Sequence, residues 1–350
     1  MTDTMKALAK TGPVQGLELI DAPIPVAGPE DVLIRVHRTA VCGTDIHIWN
    51  WDEWSQKNVP TPMITGHEFS GEIVAIGKDV NRPLKIGQRV SAEGHVIDLN
   101  SEAARAGHFH LDPHTRGIGV NRQGAFAEFV VAPAFNVIEL PDDVSDEIAS
   151  MLDPFGNAVH TAQQFDLLGE DVLVTGAGPI GIMAAAVARH AGARTVVLTD
   201  INDYRLDLGN KVAPGVRTVN TSREDLRDVM KELGLKVGFD VALEMSGSPI
   251  AFKQCVDTLI MGGGMAMLGI PSKPMETDWG TIILKALTIK GVYGREMFTT
   301  WRKMLGLLKA GLDLEPLITH RMGYSHYREG FEAMKSGQSG KVVLNWQDAA

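Results

Sequence analysis

The stretch Asp171–Gly181 constrains the fold of this chain more than any other part of it. A short run of mainly β-branched and apolar residues ends in the pattern Gly176-x-Gly178-x-x-Gly181, and an alanine-rich helical segment follows at once. The first glycine permits a tight turn, the second lets the backbone approach a phosphate, and the third lets helix and strand pack closely. The free N–H groups at the helix start attract an anion. This order predicts a dinucleotide-binding unit, with an α/β turn that binds no ligand as the alternative.

An acidic residue after the next strand distinguishes between the two common dinucleotides. Thr195–Thr199 is predicted to be that strand, and Asp200 follows it, 19 residues after Gly181. A carboxylate at this position accepts hydrogen bonds from the adenosine ribose hydroxyls and repels a 2′-phosphate, which favours NAD over NADP. Arg205 weakens the preference slightly, since an arginine also holds such a phosphate.

The composition excludes several classes of function. The chain has 43 acidic and 33 basic residues, a formal net charge of −10, and no long basic run, so we expect neither nucleic acid nor a membrane surface as a partner. The segment Met1–Ala7 lacks the apolar core of a signal peptide, and we expect a cytoplasmic protein. Two cysteines, Cys42 and Cys255, exclude a disulfide framework.

The pattern of strands changes along the chain and predicts two domains of an α/β protein. Up to residue 157, short β-branched runs broken by glycine and proline are typical of a compact, largely antiparallel β domain. Over residues 158–296, strands and helices alternate, which predicts a doubly wound parallel sheet of the Rossmann type. Residues 297–350 contain helices and a final strand, and we expect this portion to return to the first domain.

A cysteine, a histidine and two carboxylates form a second set of candidate functional residues. Cys42 as thiolate and His67 as neutral imidazole are ligands that zinc prefers, and a catalytic zinc needs a third protein ligand and an open position. Glu68 and Asp153 are the candidates for that ligand. Because neighbouring residues on an extended chain point apart, Glu68 requires a local turn to reach the metal of His67. Taken singly, these residues also fit a buried cysteine, a hydrogen-bonded histidine and a surface charge.

The residues around His67, taken with the glycine turn, resemble the zinc-dependent medium-chain alcohol dehydrogenase family. The pattern Gly66-His67-Glu68-x-x-Gly71-x5-Gly77-x2-Val80 carries this resemblance, which runs over essentially the whole chain. It implies a GroES-like catalytic domain over residues 1–157, completed by residues 297–350. It also implies a Rossmann NAD-binding domain over residues 158–296 and a homotetramer.

The same resemblance assigns roles to individual residues. Zinc ligation falls on Cys42, His67 and Glu68, and a proton relay falls on Thr44 and His47, with Asp153 beside the metal. Cofactor contacts fall on Gly176, Gly178, Ile180, Gly181, Asp200, Arg205, Leu268, Gly269, Ile270, Val292 and Tyr293. From spacing alone, Thr44 and His47 equally fit a helix-start cap and an exposed histidine.

The resemblance further implies an enzyme that oxidises a secondary alcohol by hydride transfer to NAD. The segments Asp153–Thr161, Gly291–Met297 and Ser336–Lys341 carry a closer resemblance within the family, which implies L-threonine as the small-molecule substrate, with oxidation of its 3-hydroxyl to give 2-amino-3-oxobutanoate. A polyol or another amino alcohol is the alternative substrate. A remote alternative is an NAD-binding protein that has lost catalysis, although an intact set of zinc ligands argues against it.

One part of the chain departs from the family, which usually has a structural zinc held by four cysteines. The four matching positions hold Asp98, Ser101, Ala104 and Asp112, so a tetrathiolate site is impossible here. Histidines and aspartates between residues 95 and 114 offer a substitute site, but such mixed clusters in surface loops are more often solvated. We therefore expect one catalytic zinc and no structural zinc, with the loop held by apolar residues and backbone hydrogen bonds.

Overall fold

The computed structural model describes residues 4–347, and the chain divides into two compact units. The first unit comprises Met1–Asp153 and Ile318–Ala350, and the second comprises Pro154–Leu317. The sequence-based prediction of folding domains, with its changes at residues 157 and 296, stays a prediction; residues 297–317 lie with the second unit here. Within the described range, no helix has the length and apolar character needed to cross a membrane.

Short strands and helices make up most of residues 4–347. The strands are β1 (Thr4–Lys10), β2 (Glu18–Pro23), β3 (Asp31–Ala40), β4 (Met63–Ile64), β5 (Glu68–Ile76), β6 (Arg89–Ala92), β7 (His95–Val96), β8 (Arg116–Gly117), β9 (Phe129–Pro133), β10 (Val137–Glu139), β11 (Asp171–Thr175), β12 (Thr195–Asp200), β13 (Arg217–Asn220), β14 (Phe239–Glu244), β15 (Leu259–Met267), β16 (Thr288–Gly291), β17 (Ile318–Gly323) and β18 (Lys341–Asn345). The α-helices are α1 (Gly43–Asn50), α2 (Glu53–Asn58), α3 (Glu102–Arg105), α4 (Asp146–Ser150), α5 (Leu152–Ala162), α6 (Pro179–His190), α7 (Asp203–Val212), α8 (Leu226–Glu232), α9 (Pro249–Thr258), α10 (Trp279–Leu284), α11 (Thr299–Lys309) and α12 (Tyr327–Lys335). Short 3₁₀ turns lie at Phe109–Leu111, Ala134–Asn136, Glu315–Leu317 and Tyr324–His326.

A mainly antiparallel sheet forms the centre of the first unit. Its strand order is β10-β6-β5-β3-β18-β17, and β9 pairs with β3 off this path. Alternate residues of β3, namely Val32, Ile34 and Val36, are buried in the core, as expected for a strand that packs one face inward. The late strand β18 pairs antiparallel with β3, so it brings Lys341 next to the first part of the chain. A smaller sheet of order β2-β1-β4 completes this unit's main strands.

A six-stranded sheet forms the centre of the second unit. Its order is β13-β12-β11-β14-β15-β16, and all five neighbouring pairs are parallel. Every residue of β11 is buried, as is usual where helices cover both faces of a parallel sheet. Chain order reverses beside β11, and ligands of open parallel sheets bind at the carboxyl ends of the strands at such a switch point. The predicted α/β class with a Rossmann-type parallel sheet is confirmed.

Candidate active site

Three potential metal ligands come together in the first unit. One ligand atom each from Cys42, His67 and Glu68 lies within 4.8 Å of the others, and this is the single such group found among residues 4–347. Cys42 stands at the N-cap of α1, His67 directly precedes β5, and Glu68 is the first residue of that strand. The structure therefore joins two segments that are separate in sequence into one cluster of sulfur, nitrogen and oxygen donors.

The residue directly before His67 has a conformation and surroundings that require glycine. Gly66 has a φ of +86°, a left-handed conformation that favours glycine. A β-carbon at Gly66 would lie 2.4 Å from the ring of Phe126, so the position also excludes side chains by space. Gly66 therefore fixes the path of the chain into His67, and the ligand atoms of His67 and Glu68 lie within 4.8 Å of each other although the two residues are neighbours.

Three buried polar atoms in and beside this cluster lack hydrogen-bond partners among the described residues. Oδ1 of Asp45, Nδ1 of His67 and Oε1 of Glu68 are all buried without a partner within the part of the chain that the structure describes. Leaving such atoms unsatisfied costs about 1–3 kcal/mol each, so native proteins rarely do so without a ligand. Thiolate, imidazole and carboxylate are the donor types that zinc binds. These residues therefore fit a zinc ion.

Charges around the cluster set the protonation of His67. Burial lowers the pKa of His67, but the Cys42 sulfur and the Asp45 carboxylate outweigh it and hold this pKa well above 6.5. Asp45 is itself fully buried, which raises the pKa of its carboxyl, and its Oδ1 lies 3.8 Å from Nδ1 of His67. Only the neutral ring is a zinc ligand, so zinc has to compete with a proton for His67.

A buried lysine holds one oxygen of Glu68. Nζ of Lys341 lies 2.5 Å from Oε2 of Glu68 and donates to the carbonyl of Val41 at 2.9 Å. Burial raises the pKa of Glu68, and the Lys341 ammonium opposes this shift. The ion pair leaves Oε1, the unpartnered oxygen, as the one available to a metal.

The sequence analysis missed the roles of Asp45 and Lys341. Asp45 accepts the backbone N–H of Cys42 at 2.9 Å and so fixes the start of α1 beside the cluster. Lys341 appeared there only as the last residue of the segment Ser336–Lys341, with no role of its own. A single lysine before the apolar run Val342–Leu344 was the available signal, since a buried strand rarely carries an unpaired charge.

Asp153 lies close to the cluster without belonging to its group of donor atoms. It is partly buried in the first turn of α5. Its negative charge contributes to raising the pKa values of His67, Asp45 and Glu68. Its place beside a metal stays a prediction, and the three donor atoms within 4.8 Å of one another include Glu68 and not Asp153.

The helix that begins at Cys42 carries the predicted proton relay. Thr44 is half-buried and His47 is exposed, and residues three apart share one face of a helix. Nδ1 of His47 lies 2.5 Å from Oδ2 of Asp52, whose other oxygen caps α2 by accepting the N–H of Ser55 at 2.9 Å. Nε2 of His47 is therefore the ring nitrogen left for exchange of a proton with water.

The glycine turn of the second unit has the geometry that a dinucleotide requires. Gly176 has a φ of +89°, and a β-carbon at Gly181 would lie 1.8 Å from the carbonyl oxygen of Gly176. Gly178 caps α6, and no atom lies within 4 Å of the place where its β-carbon would be. This open backbone at a helix N-terminus is a ready site for a pyrophosphate.

Asp200 closes β12 and holds the loop beside the glycine turn. Its Oδ2 accepts the N–H of Ala177 at 2.7 Å, and its Oδ1 accepts those of Ile201 and Asn202 at 2.7 and 2.9 Å. Nε of Arg205 is buried without a hydrogen-bond partner, within residues 4–347. Asp200 is therefore held beside the glycine turn at the carboxyl end of β12, and Arg205 follows in the first turn of α7.

The remaining predicted cofactor residues lie at the same edge of the parallel sheet. Ile180 stands in the first turn of α6, next to the glycine turn. Leu268, Gly269 and Ile270 directly follow β15, and Val292 and Tyr293 directly follow β16. Since β11, β12, β15 and β16 run parallel, their carboxyl ends share one edge, and the structure brings the predicted set together there.

The loop that departs from the family is organised by a carboxylate. Ser101 caps α3, and Ala104 is buried. Asp112 is buried, and its carboxylate accepts the N–H of Asp98 at 2.8 Å and that of His114 at 3.2 Å. Asp112 thus connects the two ends of this loop, residues 98 and 114, through its carboxylate.

Comparison with known proteins defines the class to which this fold and site belong. Residues 28–142 match the family model described as alcohol dehydrogenase GroES-like domain, and residues 179–310 match the model described as zinc-binding dehydrogenase. The chain belongs to the zinc-binding alcohol dehydrogenase family, which is an oxidoreductase family, and the predicted family, zinc and NAD are confirmed.

Curated relatives within that family share a more particular name. The chain is 65% identical to the L-threonine 3-dehydrogenase of Ruegeria pomeroyi and 59% identical to that of Shewanella baltica. Each match covers 98% of this chain and 100% of the relative. The similarity therefore includes both units and both candidate sites.

Solved structures of more distant relatives share the fold. An alcohol dehydrogenase from Escherichia coli in complex with NADH matches with a TM-score of 0.89 at 26% identity, over 98% of this chain and 99% of that one. The 2R,3R-butanediol dehydrogenase of Bacillus subtilis matches with a TM-score of 0.88 at 25% identity, over 97% of this chain and 99% of that one.

Proposed function

We propose that this chain oxidises the 3-hydroxyl of L-threonine to 2-amino-3-oxobutanoate with NAD as the hydride acceptor. The observation that carries the proposal is the cluster of Cys42, His67 and Glu68, with its unpartnered buried atoms, in a chain that matches L-threonine 3-dehydrogenases over its full length. In this reaction the alcohol carbon gives a hydride to NAD, and the hydroxyl gives its proton to the protein and then to water.

The donors of the first unit supply the acid–base chemistry of this reaction. Cys42, His67 and Glu68 would hold zinc, which when bound lowers the pKa of an alcohol. Lys341 fixes Oε2 of Glu68, so it sets which oxygen of that carboxylate faces the site. Thr44 and then Nε2 of His47 offer the proton a route along α1 to the surface, and Asp52 orients the imidazole through Nδ1.

The second unit supplies the binding site for the cofactor. Gly178 and the start of α6 accept the pyrophosphate on backbone N–H groups. Asp200 keeps its carboxylate beside the turn, where it accepts hydrogen bonds from the ribose hydroxyls and repels a 2′-phosphate. We therefore expect NAD to be preferred to NADP.

A homotetramer in the cytoplasm completes the proposal. In the described part of the second unit, β16 is the last strand of its sheet and pairs only with β15. The two elements that precede β16 in the chain expose large apolar side chains, Met261 on β15 and Trp279, Ile283 and Leu284 on α10. Exposed apolar surface and a free sheet edge mark a protein interface. Ile283→Lys should lower the mass of the assembly measured by light scattering, and an unchanged mass would exclude this surface.

A comparison of substrates tests the proposed reaction. Purified zinc-loaded protein is given NAD with L-threonine, sorbitol or butane-2,3-diol, and formation of NADH is followed by absorbance. We expect kcat/KM for L-threonine to exceed the other two values by at least roughly a hundredfold, because a site built to bind charged ammonium and carboxylate groups discriminates strongly against analogues that lack them. A higher value for either diol would assign the site to polyols.

A further inference from the structure

A buried carboxylate of the second unit has no cation beside it. Glu244 is the last residue of β14 and is 1% exposed. Among residues 4–347, no lysine, arginine or histidine forms an ion pair with it. A buried charge is costly unless hydrogen bonds compensate it, so the donors around this carboxylate indicate what it holds in place.

Four donor groups compensate the charge of Glu244. Its Oε1 accepts the backbone N–H and the hydroxyl of Ser246 at 2.9 and 2.5 Å, and the N–H of Gly247 at 3.0 Å. The hydroxyl of Thr175 donates to the same oxygen at 3.3 Å, and Oε2 lies 3.2 Å from the N–H of Gly247. Hydrogen bonds to a charged acceptor are about twice as strong as neutral ones, so Ser246 and Gly247 are firmly fixed.

The turn that Glu244 fixes is in close contact with two other loops. A β-carbon at Gly176 would lie 2.8 Å from Cβ of Ser246, and one at Gly247 would lie 2.5 Å from the carbonyl oxygen of Ile270. A β-carbon at Gly269 would lie 2.1 Å from the N–H nitrogen of Gly247 and 2.6 Å from Oε2 of Glu244. A shift of the Ser246–Gly247 turn would therefore displace both the glycine turn and residues 268–270.

The position of β14 in the sheet decides which half of the cofactor this turn affects. β14 lies on one side of β11, and β12, which ends in Asp200, lies on the other. A dinucleotide spans the crevice at the switch point, with its adenosine ribose on the side of the carboxylate that ends the second strand. Glu244 and residues 268–270 therefore lie on the side of the nicotinamide half.

We propose that Glu244 is a positioning residue for the nicotinamide half of the cofactor. It acts through the Ser246–Gly247 turn, which it holds against the glycine turn and residues 268–270, and it leaves the adenosine side to Asp200. The proposal rests on the proposed use of NAD and adds to it a residue that neither the glycine motif nor the zinc cluster includes.

Binding measurements on zinc-loaded Glu244→Gln test the proposal. The amide of glutamine keeps an oxygen in the place of Oε1 but carries no charge, and its NH₂ group takes the place of Oε2, 3.2 Å from the N–H of Gly247. The hydrogen bonds to Oε1 are therefore weaker and two donors face each other, so the turn shifts. We expect the Kd for NADH, measured by calorimetry, to rise roughly tenfold, because hydrogen bonds to a neutral acceptor are about half as strong as those to a charged one. The Kd for 5′-AMP, the adenosine half, should stay within about twofold of the unaltered chain, since Asp200 is untouched.

Two further variants serve as controls. Glu232→Gln removes an exposed carboxylate of the same unit and should leave both constants unchanged. Ser246→Ala removes one hydrogen-bond donor to Glu244 and should raise the Kd for NADH severalfold with the fold intact. This variant tests the proposal even where Glu244→Gln does not fold.

The possible outcomes separate this inference from the proposed function. An NADH constant within twofold of the unaltered chain in both Glu244→Gln and Ser246→Ala would overturn the positioning role. Equal weakening of NADH and 5′-AMP would also overturn it, because it would show a general loosening of the second unit. Failure of the unaltered chain to bind NADH would overturn the proposed function itself.

Discussion

Replacing Asp112 with asparagine is expected to loosen the loop that lacks the family's structural cysteines. The two oxygens of this buried carboxylate accept different amides, Oδ2 that of Asp98 and Oδ1 that of His114. An asparagine keeps one acceptor oxygen and places an NH₂ group at the other, so one amide loses its partner in either orientation. Loss of a hydrogen bond to a charged group costs about 2 kcal/mol, which corresponds to a roughly thirtyfold larger opening constant for the loop.

Hydrogen exchange followed by mass spectrometry measures this opening directly. Peptides that contain residues 98 and 114 should exchange about thirtyfold faster in Asp112→Asn, while peptides from the β3–β5 pair should not change. Asp98→Asn is the matched control, because the carboxylate of Asp98 is exposed and, among the described residues, accepts only the nearby N–H of Asn100, at 2.9 Å. Exchange within threefold of the unaltered chain in Asp112→Asn would refute the view that this carboxylate holds the loop.

The same carboxylate gives the loop a predictable dependence on pH. Burial raises the pKa of Asp112, but the N–H groups of Asp98 and His114 outweigh it and hold that pKa below 3.8. A group whose pKa is lower in the folded state than in the unfolded state stabilises the folded state fully at a pH above its unfolded-state pKa. This stabilisation is lost as the pH falls through the folded-state pKa. Protection of the loop amides from hydrogen exchange, corrected for intrinsic exchange rates, should therefore be unchanged at pH 5 and decline below about pH 3.8. A decline that starts above pH 5 would show that Asp112 is not the group responsible.

Three further substitutions test the candidate sites. Cys42→Ser should lose zinc while the Kd for NAD changes less than about twofold; a zinc content equal to that of the unaltered chain would remove Cys42 from the ligand set. Asp200→Ala should lower the ratio of kcat/KM for NAD to that for NADP by roughly tenfold or more, and an unchanged ratio would mean that this carboxylate does not face the ribose. Lys341→Met leaves Glu68 buried without its cation, so the zinc-free variant should lose about 3 kcal/mol of stability, seen as a lower Tm. Zinc should recover part of this loss. An equal Tm for the zinc-free variant and the zinc-free unaltered chain would contradict the importance of the ion pair.

Local patterns in the sequence were sufficient to predict much of the cofactor site. The run before Gly176 becomes β11, the glycine turn leads into α6, and Asp200 ends β12, as the spacing predicted. These features are local, because a strand, a turn and a helix N-terminus depend on residues close together in the chain. The remaining cofactor residues came from the resemblance to a family, since spacing alone cannot show that the ends of β15 and β16 share an edge with the glycine turn.

The residues that the sequence analysis missed depend on pairing between distant strands. Lys341 is 273 positions from Glu68, and the two meet only because β18 pairs with β3, which also pairs with β5. Glu244 likewise acts on the glycine turn only because β14 pairs with β11. A buried charge in a strand can be recognised from the sequence, but its partner is set by the order of strands in the sheet.

Zinc content and threonine-dependent reduction of NAD, measured on one preparation, test the central claim most directly. Metal analysis gives zinc per chain, and absorbance of NADH gives turnover with L-threonine. The proposed site predicts one zinc per chain and NADH formation that requires L-threonine and stops when a chelator removes the metal. Zinc near zero with NAD binding retained, or turnover that persists in the zinc-free protein, would contradict it.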